Sequence, residues 1–440
     1  SLKGSDLLGQ TSIIEGILWK SSPEYDATTE GTYFFTPILP AGYTLAEGAA
    51  LPEITVVVGN PELYTLHSLD EEEMPKSKPA CGTISENTIW EAGSLPDGEL
   101  IINAGTTLTL TGAVSVEGSV SISGGGTIAR GNAQACLLVK AGKSLTINDT
   151  VISGSSIPSG ESMISAMMGT VTLGNGCRIL DCVKEVPDSG AGTAESGGAT
   201  SGSGTGGAAI HLNRSSATLE QAEISNCSSS FRGGAVYAMG SAITINGGTY
   251  QNNRTTAAQP RGGGFLYNDA SNVTINSGSF INNSSTGQGG CIYHSGAGGT
   301  ETKLAGGYFQ GNVSSMEGCQ GSGAIWNSSV ATGQTKLSLS GAVQFCGDGR
   351  EKSGTDGIYL DQQDETQRKI YITGALNTAT TIYVKASEGY VIAEGEGYTL
   401  TDRDMKKIKF VDIANSDRIW YAVLNAETNQ IYISETDPEY

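Results

Sequence analysis

The sequence predicts an all-β chain in which a small β-sandwich precedes a long, single-stranded parallel β-helix. Three observations carry that reading. First, between Ile210 and Asp348 a two-part phrase recurs five times. Its first half is Gly-(small)-aliphatic-aromatic: Gly207-Ala208-Ala209-Ile210-His211, Gly233-Gly234-Ala235-Val236-Tyr237, Gly263-Gly264-Phe265-Leu266-Tyr267, Gly289-Gly290-Cys291-Ile292-Tyr293 and Gly323-Ala324-Ile325-Trp326. Its second half pairs an apolar residue with a small polar one or Cys: Ile224 to Cys227, Tyr250 to Asn253, Phe280 to Asn283, Phe309 to Asn312 and Phe345 to Asp348. The aliphatic positions 210, 236, 266, 292 and 325 lie 26, 30, 26 and 33 residues apart, a period of stacked units rather than of a globule. Second, each unit holds a short alternating run, such as Ala242-Ile243-Thr244-Ile245, Asn272-Val273-Thr274-Ile275 or Lys336-Leu337-Ser338-Leu339, between Gly and Asn clusters. Period-two alternation with turn residues signals strands, and no segment has helical periodicity. Third, 62 Gly with only 16% charged residues is the composition of a turn-dense β solenoid.

The amino-terminal stretch, residues 1–60, has a different texture. Trp19, Gly31-Thr32-Tyr33-Phe34-Phe35-Thr36-Pro37, Gly42-Tyr43-Thr44-Leu45 and Ile54-Thr55-Val56-Val57-Val58 predict three or four strands with Pro and Gly turns. Residues 61–80 include Asp70-Glu71-Glu72-Glu73-Met74-Pro75 and are expected to be an exposed acidic linker. The helix is expected over residues 81–440, from near Cys81 to near Glu435. Its upstream coils are predicted from Leu100-Ile101-Ile102, Leu108-Thr109-Leu110 and Leu145-Thr146-Ile147. Downstream coils are predicted from Gly357-Ile358-Tyr359-Leu360, Lys369-Ile370-Tyr371-Ile372, Thr381-Ile382-Tyr383-Val384 and Gln430-Ile431-Tyr432-Ile433.

Three strands per coil and roughly a dozen coils at about 4.8 Å each make a stack on the order of 50 Å long. Val236 then sits on Leu266 and Ile292, and Tyr250 on Phe280 and Phe309. Asn253, Asn283 and Asn312 form an amide ladder at one corner. Residues 188–206, almost wholly Gly, Ser, Ala and Thr, are expected to be a projecting loop. The charged segment after Ser387 is expected to cap the open end.

Composition bounds the partners. The acidic excess of 45 − 25 = 20 argues against nucleic acid, whose phosphates need clustered Lys and Arg. No apolar run approaches the ~18 residues of a membrane span, so no membrane insertion is expected in this segment.

The amino-terminal phrase resembles bacterial immunoglobulin-like modules found in tandem on surface proteins of Gram-positive gut bacteria, over about 45 residues. That resemblance implies a spacer. The paired Gly-Gly-Ala-Ile and Phe-x-x-Asn motifs over residues 207–348 resemble the repeats of chlamydial polymorphic outer-membrane proteins and of adhesin-like proteins. The match loosens where Ser322-Gly323 replaces Gly-Gly and where Cys or Asp replaces the last Asn. It implies a right-handed, pectin-lyase-like β-helix outside the cell, on the surface or secreted, with adhesion as its role and no catalytic residues to transfer. The chain then reads as part of a longer cell-anchored protein.

The expected site is aromatic. The residue after each aliphatic aligns as His211, Tyr237, Tyr267, Tyr293 and Trp326. With the aliphatics inward, alternation puts this column outside as a strip suited to stacking on sugar rings or packing against a host surface protein. Two alternatives stand beside it: inverted faces with the aromatics in the core, or an exposed ladder with a purely structural role. Avidity along a repeated face favours an adhesin-like, non-enzymatic binder of glycan or protein. A polysaccharide lyase or glycosidase on the same scaffold is the competing reading, and a passive stalk the third.

Catalysis would need paired carboxylates, or a base with clustered acids. Between residues 205 and 345 the acids are Glu220, Glu223, Asp269, Glu301 and Glu317, none at an equivalent coil position. Asp361, Asp364 and Glu365 cluster in what reads as a solvated turn. His67, His211 and His294 have no metal-ligand spacing, and no cofactor is expected. Cys182 and Cys227 align at the repeat's Asn position and become stacked neighbours if the Gly-rich loop is an insertion. They are then a candidate disulfide, or two buried thiols packing as small apolar groups.

Overall fold

A computed structural model of the chain describes residues 76–185, 206–256, 262–295, 299–316, 323–328, 336–346, 356–361, 368–384, 388–412 and 419–436. In the amino-terminal part it describes 2–5, 11–14, 17–26, 29, 31–41, 44 and 51–58. Two compact units divide at Met74/Pro75.

The first unit holds an antiparallel pair, Leu2–Ser5 with Thr11–Ile14, and a three-stranded antiparallel sheet of Leu18–Ser22, Gly31–Ile38 and Ile54–Val58. Alternation decides its faces: Tyr33 is buried while Phe34 is exposed. The Tyr25 ring packs edge-on against Tyr33 and Phe35, each at 5.2 Å. The immunoglobulin-like likeness of this unit rests on sequence alone.

The second unit is a parallel β-helix. Its first strand, Lys76–Ser77, pairs in parallel with Thr88–Trp90, so the stack starts ahead of Cys81 and takes up the end of the expected linker. The rest of that linker lies outside the described residues. One wall is a twelve-stranded parallel sheet running from Gly93–Leu95 to Ile408–Asp412, one strand per coil. A second wall carries two strand series, for example Ala242–Ile245 and Thr249–Gln251 within a single coil. These series fuse into continuous strands at Glu301–Gln310 and Lys336–Cys346.

The expected three strands per coil are four in the central coils. Two-residue strands such as Val183–Lys184, Ser228–Ser229 and Arg254–Thr255 form a six-stranded ribbon. Two residues are too few to carry an alternating pattern, and two of the six, Ser228–Ser229 and Ser284–Ser285, are Ser-Ser pairs that read as turn.

Register follows the spacing. Val236 pairs with Leu266 and Leu266 with Ile292; Tyr250 pairs with Phe280 and Phe280 with Phe309. The rings of that second column stack at 5.0 and 4.7 Å. Each coil leaves its inward residues uncovered on two sides, and the neighbouring coils close them: Ile210, Ile245, Phe280 and Ile292 have no solvent exposure.

The loop expected at residues 188–206 lies outside the described residues except for Gly206. Its effect on the stack is still visible. Ile164 pairs with Ile210, 46 positions away; the 20 residues 186–205 account for the excess over the 26-residue period. At the far end, Gln430–Ser434 is not a further coil as its pattern suggested. It runs antiparallel to Tyr421–Asn425 and to Val391–Gly395, and buries Ile431 and Ile433 in the core. A one-turn helix, Asp402–Met405, with Thr401 and Asp404 in a capping box, sits in the same segment.

Candidate functional site

The aromatic column was the first candidate, and the structure corrects it. His211, Tyr237, Tyr267, Tyr293 and Trp326 do lie on consecutive coils, on the strand face opposite Ile210, Val236, Leu266, Ile292 and Ile325. Of the two facings left open, the aliphatics are the ones that point into the helix. The aromatics are not exposed: Tyr267 is 1% and Tyr293 0% accessible, and the column continues as Tyr359 and Tyr383. They form a second apolar layer on the outside of the twelve-stranded wall, with Met239 and Met316 against it. Tyr237 and Tyr267 stack at 5.4 Å with rings 2° from parallel, and Tyr267 and Tyr293 at 4.8 Å and 3°. The Arg232 guanidinium lies 5.3 Å from the Tyr267 ring. Burial pushes the Tyr237 and Tyr267 phenols well above their ordinary range, the carboxylate of Asp269 adding to the rise at Tyr237. A column with this little exposure cannot take a sugar ring.

The histidines are equally enclosed. His211 Nδ1 is 3.3 Å from Ser165 Oγ, and His294 Nδ1 is 2.9 Å from Thr302 Oγ1 and 3.3 Å from Asn268 Nδ2. Burial, with Lys184 nearby, lowers the His211 pKa to about 3; burial, with Arg368 nearby, lowers that of His294 to about 4. Both are neutral at ordinary pH. His67 lies outside the described residues. Among the described residues no three His, Cys, Asp or Glu side chains converge in a way that could hold a metal ion.

Asp361, read as part of a solvated turn, is instead buried, with its N–H bonded to Asn327 O at 3.1 Å. Asp364 and Glu365 lie outside the described residues. Cys182 and Cys227 are free thiols, fully buried on adjacent coils. Composition gave no hint of two further buried cations. Lys184 donates to Ser162 Oγ at 2.9 Å and to Gly206 O at 3.2 Å; desolvation takes its pKa down to about 7, although Glu161 opposes the fall. Arg130 donates to the carbonyls of Ala135 and Glu161 at 3.0 and 3.1 Å. Both cations satisfy main-chain carbonyls near the place where the repeat is interrupted.

An open concave feature lies on the second wall, at the bend between its two strand series. There the chain reads Asn246-Gly247-Gly248-Thr249, Asn276-Ser277-Gly278-Ser279 and Ala305-Gly306-Gly307-Tyr308. Gly248, Gly278 and Gly307 have φ of +99°, +132° and +124°, which side-chain-bearing residues rarely adopt. A Cβ at Gly278 would also meet the Tyr250 ring at 3.3 Å. Only glycine repeats this bend from coil to coil, and the missing side chains leave a groove of about 430 Å³. It runs across coils from Gln221 through Thr249, Ser277 and Ser279 to Tyr308 and Gln344, and its lining is mostly polar.

Next to the groove residues in the chain, Asn246 Nδ2 donates to both Glu220 oxygens at 3.2 and 3.1 Å, and Asn276 Nδ2 to Asn246 Oδ1 at 2.8 Å. Glu223 accepts from Arg178 Nε at 2.7 Å. Partial burial raises its pKa, but hydrogen bonds from Arg178, Ser225 and Gln251 outweigh that and hold it below the usual range. Glu394 and Asp404 are held down in the same way, chiefly through Lys369 and Thr401. Each of these three carboxylates is thus kept ionised, the opposite of what a general acid at neutral pH requires.

Comparison of the chain with protein-family models, with curated protein sequences and with solved structures found no match.

Proposed function

We propose that this β-helix is an extracellular, adhesin-like binding protein that holds an extended glycan along the glycine-floored groove of its second wall. One observation carries the reading. A shallow polar channel crosses successive coils, repeating hydroxyl, amide and backbone groups at the coil spacing of about 4.8 Å. Extended polysaccharides present hydroxyls on a comparable repeat, and such a surface binds weakly at each step and gains by multiplicity. Tyr308, partly exposed at one end with its hydroxyl 3.0 Å from Gln310 Oε1, offers a ring face to a sugar.

The acids beside the groove, Glu220 and Glu223, together with a net charge of −20, favour neutral or amino sugars over uronic acids. The resemblance to surface-displayed repeats supports a place outside the cell, and the resemblance of the amino-terminal stretch to immunoglobulin-like modules supports a spacer role, with this segment part of a longer anchored chain.

The test is retention on insoluble neutral, amino-sugar and uronic-acid polysaccharides and on mucin, with and without Ca²⁺, read together with product release. Retention without new reducing ends or unsaturated products is expected. It should fall at least about tenfold in Ser279→Trp, which fills the channel from its partly exposed side, and in Tyr308→Ala. Product release would replace this reading with a polysaccharide-degrading enzyme. Retention unaffected by both substitutions would move the binding face elsewhere, and no retention on any material would leave a stalk.

A further inference from the structure

One column of side chains ties coil to coil through the middle of the stack. Asn253 Nδ2 donates to Asn283 Oδ1 at 3.0 Å, Asn283 Nδ2 to Asn312 Oδ1 at 2.9 Å, and Asn312 Nδ2 to Asp356 Oδ1 at 2.7 Å. Each side-chain oxygen also accepts the backbone N–H of the residue one coil before it, down to Cys227 N at 3.1 Å from Asn253 Oδ1. At Cys227 the chemistry of the column changes. The same position one coil earlier is Cys182, because Leu180 pairs with Ser225 and Val183 with Ser228 on either side. The step from Cys182 to Cys227 therefore has no amide link, and two sulfurs stand where the link would be.

We propose that Cys182 and Cys227 are a disulfide-forming pair that replaces the amide ladder with a covalent cross-link between two coils when the chain folds in an oxidising environment. That environment is the one the extracellular reading supplies; the capacity to form the bond does not depend on it. The geometry fits. In-register residues on adjacent coils are about 4.8 Å apart at Cα, inside the ~4.4–6.8 Å a disulfide spans. Both side chains have no solvent exposure. Each also occupies the same local setting, with Sγ 3.6 Å from Leu180 O in one coil and 3.4 Å from Ser225 O in the next.

A cation is at hand as well. The neighbouring Cys227 thiol chiefly, and Arg130 after it, favour the thiolate at Cys182. A thiolate is the form that attacks a disulfide.

The chemistry balances as thiol–disulfide exchange with a small-molecule or enzyme disulfide. The Cys182 thiolate attacks one sulfur of that disulfide, making a mixed disulfide and expelling one thiolate. Cys227, losing its proton, attacks the Cys182 sulfur and expels the second. The protein gives up two electrons and two protons, and the external disulfide becomes two thiols. Because both sulfurs are enclosed in the finished fold, exchange occurs while this coil is still closing. The position has a reason in loop entropy. Residues 182 and 227 bracket the 20 residues, 186–205, that interrupt the repeat, so this coil costs more to close than its neighbours.

The test starts from reduced, denatured protein refolded with mixed reduced and oxidised glutathione. Free thiols are then alkylated in denaturant, and the chain is digested with trypsin without reduction. Cleavage after Arg178, Lys184, Arg214 and Arg232 isolates Cys182 in peptide 179–184 and Cys227 in peptide 215–232, each with a single cysteine. A linked species that dithiothreitol splits into these two peptides is expected, with six free thiols remaining of the eight cysteines. Two separately alkylated peptides, or either one joined to the Cys136 peptide, would overturn the proposal. In Cys182→Ser the linked species should vanish while far-ultraviolet circular dichroism is unchanged, and the melting temperature of the oxidised protein should drop by several degrees. Equal melting temperatures for oxidised wild type and variant would show that the bond ties nothing together. A bond without glycan retention would sink the binding reading alone, and retention without a bond this inference alone.

Discussion

Asn312 and Asp356, 44 positions apart in the chain, meet in the fold: the amide nitrogen of one is 2.7 Å from a carboxylate oxygen of the other, and both are buried. Asp356 also accepts the N–H groups of Gly311 and Asn312 at 2.6 and 3.1 Å. The carboxylate thus ends the ladder that begins at Asn253, and it ends it with an acceptor, which is what the last amide lacks. The repeat phrase pointed to Asp348 for this place, because Phe345 to Asp348 copies the spacing of Phe309 to Asn312. Asp348 lies outside the described residues, and the ladder closes on a residue eight positions further on.

Removing that carboxylate should be costly. Asp356→Ala leaves three donors without their acceptor and should destabilise the protein by about 3 kcal/mol or more. Asp356→Asn keeps an acceptor oxygen and should lose only about 1 kcal/mol. Urea midpoints of the two variants test the pair; equal losses would mean the carboxylate does not terminate the ladder.

A void in the core predicts a stabilising change. Ala217 pairs with Val171 on one side and Ile243 on the other, so a methyl stands where its neighbours carry larger groups. A small apolar cavity, about 10 Å³, remains among Ala217, Ile210, Leu219, Ile243 and Phe265. Ala217→Val should fill part of it and raise stability by about 0.5–1 kcal/mol. A lower denaturation midpoint would show that the surrounding side chains cannot yield and that the site is already full.

The buried phenols predict alkaline behaviour. Tyr237 and Tyr267 have folded-state pKa values raised by burial, while in the unfolded chain they ionise near the ordinary value of about 10. Above about pH 10 the unfolded state binds fewer protons than the folded one, so stability is lost as pH rises. Absorbance titration should show the exposed tyrosines ionising first and the column only together with loss of structure. Ionisation of all phenols in one smooth step in the folded state would contradict its burial. Tyr267→Ala should cost about 3–5 kcal/mol, and in whatever folded protein remains it should leave polysaccharide retention intact.

The histidines predict the acid side. His211 and His294 titrate near 3 and 4 when folded and near 6.5 when unfolded. Between those limits the unfolded state binds more protons, so stability falls as pH drops below about 6.5, by about 1.4 kcal/mol per pH unit for each histidine. His211→Phe, which keeps a ring stacked on Tyr237, should reduce that slope by one proton. Urea midpoints at pH 4.5, 5.5 and 6.5 measure it, and an unchanged slope would place the proton uptake on other groups.

Much of the fold was legible because one unit is written many times. Tyr250, Phe280 and Phe309 recur at a coil-length spacing, and parallel pairing puts equal positions on top of one another; register needed no further information. The ladder of Asn253, Asn283 and Asn312 followed from the same spacing. Gln430-Ile431-Tyr432-Ile433 misled for the same reason. Its alternation is that of a coil strand, and alternation does not say whether a strand runs parallel or antiparallel to its neighbour. The two-residue strands were unreadable because Ser228-Ser229 and Ser284-Ser285 have no pattern to read.

The candidate sites divide along that line. Local sequence determined the period, the register and the stacking of Cys182 next to Cys227, since each depends only on which residues repeat and at what distance; which face of Ile210 through Ile325 turns inward it left open. Tertiary structure alone decided that the outward column of Tyr237, Tyr267 and Tyr293 is covered, that Gly248, Gly278 and Gly307 open a groove, and that Asp356 closes the ladder. Alternation fixes the side of a strand on which a residue stands. Whether that side meets water depends on what else packs there, and the repeat does not encode it.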